Sequence, residues 1–500
     1  MFEMFIQGAG EYFNMTCILL TLLGVIAGIV FGAIPGLSAT MAIALFLPVT
    51  YNMNSMQGIT LLVSLYVGGV SGGLISAILM KIPGAPGSIA TCWDGGKMAE
   101  NGHARRALGI GVLYSFFGGI LSALALIFIA PSLADFAVKF GYPEYFAIAV
   151  FSLTLIASVS SKNIFKGVLA GLLGILLSTV GYSAVDGSLR FTFGITQLNG
   201  GFDILTVLIG FFAISEVILA AEQVGRTSEN TTVRKAMDAI HGWGVSWKEF
   251  KEQFRNMITS FAIGLGIGIL PGLGGATANV LAYEAVKGTS KYPEKFGTGI
   301  IDGVVASETA NNAAVGGALI PLLTLGIPGD TATAMILAGL MMQGITPGPL
   351  LFVNSAKLVY GLFIAFIIAN VAMLLLEFYG IRIFAKLMLI PKHILLSIVM
   401  AFCFIGAYGL NNRVFDVFAA LLFGLVGYAL KKGKFPTNAL LLGFILGPTM
   451  EKNLGRGVSL YGSFWPFLKS PVCCFVLLAA VLSILWSAYK IRKNAKKKEV

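Results

Sequence analysis

Charge is scarce in this chain. Of its 500 residues, 11% are Asp, Glu, Lys or Arg, against about 25% in ordinary soluble domains. With 57% hydrophobic residues and a mean hydropathy of +0.86, this scarcity excludes a soluble globular domain and points to an integral membrane protein. Histidine is scarcer still: His103, His241 and His393 stand near the ends of apolar segments. There is no HExxH, no GxGD and no phosphate-binding Walker loop, so ATP hydrolysis by this chain is excluded. Gly69-Val70-Ser71-Gly72 matches the short GxSG pattern of rhomboid-type intramembrane serine proteases. No histidine lies in a helix that could serve it, and no enzyme activity or cofactor is expected. The five cysteines, Cys17, Cys92, Cys403, Cys473 and Cys474, lie mostly in apolar runs without metal-ligand spacing, which fits core packing rather than a disulfide framework.

Basic residues are absent from Met1 to Met80. The net charge of +11 gathers at the ends of apolar segments rather than in a patch with interleaved aromatics, so nucleic acid is not an expected partner. Arg226, Arg234, Lys235, Lys248, Lys251 and Arg255 lie in the polar stretch 221–255, and Lys490, Arg492, Lys493, Lys496, Lys497 and Lys498 close the chain. The positive-inside bias puts both regions, and the C-terminus, in the cytoplasm. The loop Lys431-Lys432-Gly433-Lys434 agrees, because two spans return the chain from there to the same side. The N-terminus lacks a basic region before its first apolar segment, which is long enough to span, so no secretory signal is expected.

Apolar segments of roughly 20 residues recur along the chain, the length that crosses a hydrocarbon core of about 30 Å. They predict an all-α membrane protein with about 10–13 transmembrane segments. The polar stretch divides it into a first half at 1–220, a cytoplasmic connector at 221–255 and a second half at 256–430. C-terminal helices at 431–489 and a basic tail at 490–500 follow.

The halves carry one pattern. Gly28, Gly32, Pro35, Gly36 and Leu37 recur as Gly264, Gly268, Pro271, Gly272 and Leu273, a shift of 236 throughout (28 to 264, 35 to 271). Ile82-Pro83-Gly84 recurs as Ile327-Pro328-Gly329, a shift of 245 (82 to 327), each behind a Gly-Gly pair, Gly72-Gly73 and Gly316-Gly317. Proline removes a backbone donor and glycine lets the chain leave helical geometry. In lipid, the freed polar groups must be satisfied within the protein. Four Pro-Gly breaks in two repeated, inverted halves therefore predict discontinuous helices or re-entrant hairpins around a binding site. Their exposed N–H groups suit an anion. Small hydroxyls follow each break and can donate to carboxylate oxygens. The substrate-binding candidates are Pro35, Gly36, Ser38 and Thr40; Gly84 and Ser88; Gly272 and Thr277; and Gly329, Thr331 and Thr333, with 35–40 and 271–277 expected as one pair of site elements and 84–88 and 329–333 as the other.

Glu308 is the most informative acid. A carboxylate near a membrane-helix centre costs about 2.5–3.5 kcal/mol by translocon-type scales. Asn311 and Asn312, three and four residues on, share its helix face and can converge with it on one cation. These three are the ion-coupling candidates, with sodium as the metal they would hold. Their counterparts in the first half are Val63, Tyr66 and Val67, so the coupling chemistry is confined to one half. Asp330 fits a helix N-cap, and Asp94 is read as a loop acid.

These residues resemble the TctA family, the large membrane subunit of bacterial tripartite tricarboxylate transporters. The resemblance covers nearly the whole chain. It is carried by Gly32-Ala33-Ile34-Pro35-Gly36-Leu37, by Gly72-Gly73 through Ile82-Pro83-Gly84-Ala85-Pro86 to Asp94-Gly95, and by Pro271-Gly272-Leu273-Gly274. Glu308 through Asn311-Asn312-Ala313 to Ile327-Pro328-Gly329, and Gly344-Ile345-Thr346-Pro347-Gly348-Pro349, complete it. It implies a permease of the bacterial inner membrane, a small membrane subunit (TctB-like) and a periplasmic solute-binding protein (TctC-like). It also implies carboxylate import driven by an ion gradient, typically sodium. The chain departs from the family at Ser71-Gly72-Gly73-Leu74, where Tyr-Gly-Gly-Ser is usual, at Lys81, where Asn is common, and at Asp330, in place of a small residue. These changes flank the breaks and leave the particular carboxylate open. The expected function is a secondary carboxylate carrier coupled to Na+ or H+. The alternatives are a cation/proton antiporter centred on Glu308 and Asp94, or a channel-like anion pathway.

Overall fold

A peptide group in hydrocarbon must find its hydrogen-bond partner within the protein, and a chain this apolar meets that demand with helices. A computed structural model describes residues 2–159, 164–222, 246–387 and 390–496, and these are overwhelmingly helical. Seven of their helices are long and apolar enough to cross a membrane, among them Met15–Ala33, Ser55–Met80 and Ala356–Lys386. The helix Ile301–Leu325 is not one of the seven, because Asp302, Glu308, Asn311 and Asn312 dilute its hydropathy. Most of the 221–255 connector, with Arg226, Arg234, Lys235 and His241, lies outside the described residues. Its described ends are helical, Ser215–Glu222 and Trp247–Glu252, the latter opened by a Ser246–Glu249 capping box.

The chain forms two compact units, each discontinuous in sequence. One comprises 135–215 and 411–500. There, Ile164–Ser178 packs against Thr437–Tyr461 at glycine contacts: a Cβ at Gly174 would meet the Leu440 carbonyl, and one at Gly443 the Gly171 carbonyl. A two-stranded hairpin, Gly181–Tyr182 with Leu189–Arg190, is tied to the second of these helices by the Arg190 guanidinium, whose Nη1 and Nη2 lie 2.7 and 3.0 Å from the two Glu451 carboxylate oxygens.

The other unit, 1–134 with 216–410, contains every candidate site residue. Within it the element order of the two halves runs in parallel. Met15–Ala33 stops just before Pro35-Gly36 and is followed by Ala39–Phe46. Phe254–Ile269 stops just before Pro271-Gly272 and is followed by Gly274–Thr289. Gly36 and Gly272 both have positive φ, +95° and +77°, which is why glycine follows each proline. Ser55–Met80 and Ile301–Leu325 are the buried central helices. Each ends on a left-handed residue, Lys81 (φ 55°) and Gly326 (φ 69°), one residue before Ile-Pro-Gly. The Asn common at position 81 in the resembled family suits that conformation better than a lysine does.

Asp94 is a corner post rather than a loop acid. It lies in the helix Thr91–Met98, is fully buried, and accepts from the N–H groups of Gly297, Gly299 and Ile300 at 2.9, 2.7 and 3.0 Å. The Tyr283 hydroxyl donates to its other oxygen at 2.8 Å. A carboxylate accepting several backbone N–H bonds is strongly held, and its removal leaves each donor unsatisfied. Asp94→Ala is therefore expected to destabilise the protein by about 3 kcal/mol or more, read as a fall in apparent melting temperature in detergent. An unchanged melting curve would show that the clamp carries no stability.

Candidate functional site

The four breaks come together in pairs. Within the first half, the Pro83-Gly84 turn lies so close to the end of Met15–Ala33 that a Cβ on Gly84 would collide with the Gly32 carbonyl. Within the second, a Cβ on Gly329 would stand 2.7 Å from the Gly268 carbonyl, and the Gly272 N–H donates to the Gly329 carbonyl at 2.6 Å. Only glycine permits the approaches at Gly84 and Gly329, and the Gly272 bond satisfies one carbonyl at the fourth break.

Contacts also run between the halves, and they join the first break with the fourth and the second with the third, where the repeat predicts first with third and second with fourth. The first and fourth breaks meet where the Thr40 and Thr331 hydroxyls lie 2.9 Å apart. The second and third meet around two amides. The Ala90 N–H donates to Asn279 Oδ1 at 2.8 Å, and the Asn279 amide donates to the Ser307 carbonyl at 3.3 Å. A Cβ added at either Gly87 or Gly275 would strike Oδ1 of Asn311. Asn311, on the central helix of the second half, thus fills the junction of the second and third breaks. Tyr66, 245 residues earlier on the central helix of the first half (66 to 311), donates its hydroxyl to Asp330 at the fourth break.

The hydroxyls have distinct assignments. Ser38 caps Ala39–Phe46, accepting from the Met41 N–H at 3.2 Å. Asp330 caps Thr331–Met342 in a capping box, and the Thr333 hydroxyl is engaged there, 2.8 Å from Asp330 Oδ1. Thr277 is half-buried in the first turn of Gly274–Thr289. Ser88 is fully buried and its hydroxyl has no hydrogen-bond partner. Pro35 and Gly36 form the tight turn ahead of Ser38.

Glu308 is fully buried beside these junctions. Thr91, the first residue of the helix after the second break, donates to Oε1, and Ser115 donates to Oε2 at 3.0 Å. The Thr91 hydroxyl also lies 3.1 Å from that of Ser307, and the Asn312 amide donates to the Glu308 carbonyl at 3.1 Å. The Asn311 amide reaches the Val70 carbonyl at 3.4 Å. Glu308, Asn311 and Asn312 therefore do not converge side chain on side chain. The Glu308 carboxylate sits in a hydroxyl-rich nest, Asn312 bonds back to its own helix, and Asn311 faces the break junction. Among the described residues, no three His, Cys, Asp or Glu gather to hold a metal ion. The donors around Glu308 are hard oxygens, the kind that suit alkali and alkaline-earth cations rather than transition metals.

Beside the second break a cleft of about 640 Å³ is lined by Lys81, Pro83, Trp93, Lys97 and Gly297, with Ile89 and Cys92 at its wall. Lys81 and Lys97 both pair with Glu100, Lys97 at 3.0 Å. Asn279, Ser115 and Glu377 were not singled out from the sequence. Glu377 alone carried a signal there, as a lone acid closing the long apolar run 356–378.

Broken helices that meet inside a multi-pass membrane protein, around a buried acid, define the permease class of membrane carriers. The chain belongs to the tripartite tricarboxylate transporter TctA family, whose model matches residues 18–442. It is 34% identical over 475 residues to an "Uncharacterized 52.8 kDa protein in TAR-I ttuC' 3'region" of Agrobacterium vitis, covering 94% of this chain and 93% of that protein. A second relative from the same organism, "Uncharacterized protein in TAR-II ttuC' 3'region", is 36% identical over 220 residues, 44% of this chain and 91% of its own length. No solved structure matches the chain.

The Asn311 junction is testable by coupling. Gly87→Ala is expected to cost about 1–3 kcal/mol by overpacking against the amide. Adding Asn311→Ala should return most of that loss, because the colliding atoms are gone. Strictly additive losses in thermal stability would contradict the contact.

Proposed function

We propose that the protein is the permease of a secondary active transporter that imports di- or tricarboxylates across the bacterial inner membrane, driven by a sodium or proton gradient. The observation that carries this is the pairwise meeting of four Pro-Gly breaks, first with fourth and second with third, beside the buried Glu308. Membership of a family belonging to tripartite systems supports work with two partners, a small membrane subunit and a periplasmic solute-binding protein. The two halves would be inverted repeats, with the connector and the C-terminal tail on the cytoplasmic side, and alternating access would move one bundle against another.

In this reading the carboxylate takes backbone N–H groups and hydroxyls at the breaks. Ser38, Thr40, Ser88, Thr277 and Thr331 are the donors, and Pro35, Gly36, Gly84, Gly272 and Gly329 shape the backbone. Thr333 acts through the Asp330 cap. The coupling ion, sodium for preference, sits at Glu308, with the Thr91 and Ser115 hydroxyls joining the ligand set and Asn311 and Asn312 linking it to the breaks. Ligands fixed by helices that end at the substrate site give a physical route for coupling ion and substrate occupancy.

The test is uptake of labelled di- and tricarboxylates into liposomes containing the permease with both partners, with and without an inward sodium gradient. Uptake should saturate and rise with the gradient. Glu308→Gln and Asn311→Ala should each lower gradient-driven uptake at least tenfold. Undiminished uptake in both variants would remove the coupling assignment, and non-saturating flux would indicate a channel.

A further inference from the structure

Among the described buried residues are four acids, Asp94, Glu308, Glu377 and Asp416, and no Lys, Arg or His. Three of the acids are well provided for. Asp94 has its backbone N–H groups and Tyr283, Asp416 has Arg413 and Asn411, and Glu308 has two hydroxyls. Glu377 is different. It stands on the helix Ala356–Leu387, is fully buried, and receives one bond, from the Ser71 hydroxyl to Oε2 at 2.8 Å. Its Oε1 is buried with no partner. The GxSG sequence at Ser71 thus serves this carboxyl group rather than a hydrolytic centre.

An isolated ionised carboxylate in such surroundings is prohibitively costly, and the group neutralises instead. The titratable groups on the helices around Glu377 are Glu3, Glu11 and Tyr12 on Phe2–Tyr12, Cys17 on Met15–Ala33, Tyr66 on Ser55–Met80, Asp302 and Glu308 on Ile301–Leu325, and Arg105, Arg106, Tyr114 and Asp135 on Ala104–Ala137, whose Gly119 lies against Asn370. The two bases stay at the start of their helix, Arg105 exposed and Arg106 paired with Glu249. Its own helix carries Lys357, Tyr360, Tyr379, Arg382 and Lys386, and none of these bonds to the free Oε1. A metal cation needs several oxygen ligands, and a single serine hydroxyl accompanies this carboxyl group; a proton needs only the carboxyl itself.

We propose that Glu377 is a proton-binding site: a carboxyl group held neutral while sealed against Ser71, which releases its proton to water when the surrounding helices open and takes one back when they close. This adds a second ion to the carrier reading above, a proton at Glu377 beside the cation at Glu308. Its test needs no substrate, so failure of carboxylate uptake and failure of this proposal are distinguishable.

The measurement is infrared difference spectroscopy of the full-length purified protein between acid and alkaline pH. Wild type should show the carbonyl-stretch band of a protonated carboxyl group that disappears on alkalinisation. Glu377→Gln should lose that band, Glu308→Gln should keep it, and Ser71→Ala should displace it in frequency. If Glu377→Gln does not purify as a monodisperse protein, Glu377→Asp must show a displaced band. A wild type without such a band, a band unchanged in Glu377→Gln or Glu377→Asp, or a band lost only in Glu308→Gln would overturn the assignment.

Discussion

The structure of the larger unit depends on how it satisfies the backbone where helices stop inside an apolar protein. Each Pro-Gly break removes a donor and exposes carbonyls that lipid cannot solvate. The answer is close approach of one break to another, possible because Gly84 and Gly329 carry no side chain, with the Gly272 N–H donating to the Gly329 carbonyl. Once breaks are paired in this way, the helix starts that follow them are brought to a common region. Thr40 then meets Thr331, and Thr91 meets Glu308. The polar chemistry at the centre is thus a consequence of backbone bookkeeping as much as of side-chain choice.

The membrane class, the helical fold and the four breaks were legible in the sequence because hydropathy and Pro-Gly pairs act locally. The Asp330 cap was legible too, since a cap is a three-residue matter. Asp94 was not: its role rests on backbone N–H groups some 200 residues away (94 to 297), and no local pattern encodes that. The Glu308 face was half legible. Helical spacing puts Asn311 and Asn312 on its side of the helix, but spacing says nothing about what stands opposite. The structure turns Asn312 back onto the helix and Asn311 toward the breaks. Ser115 and Asn279 are single polar residues in segments that gave no reason to favour them. The regrouping of 135–215 with 411–500 also has no signature in local composition.

The two central helices carry different chemistry at matching positions. Tyr66 and Asn311 hold corresponding places on the two central helices, and each reaches toward a break of the opposite half. One is a bulky phenol tied to a capping acid, the other a small amide beside two glycines. The same division appears at the helix ends, where Lys81 and Gly326 share a left-handed turn but only Lys81 adds a charge, paired with Glu100.

The Asp94 clamp has a mechanical corollary. It joins the start of the Thr91–Met98 helix to the segment 297–300 that leads into Ile301–Leu325, through bonds whose loss is costly on both sides. In the carrier cycle proposed above, the two segments would travel together. Thr91 and Glu308, lying on the two clamped pieces, keep their register throughout.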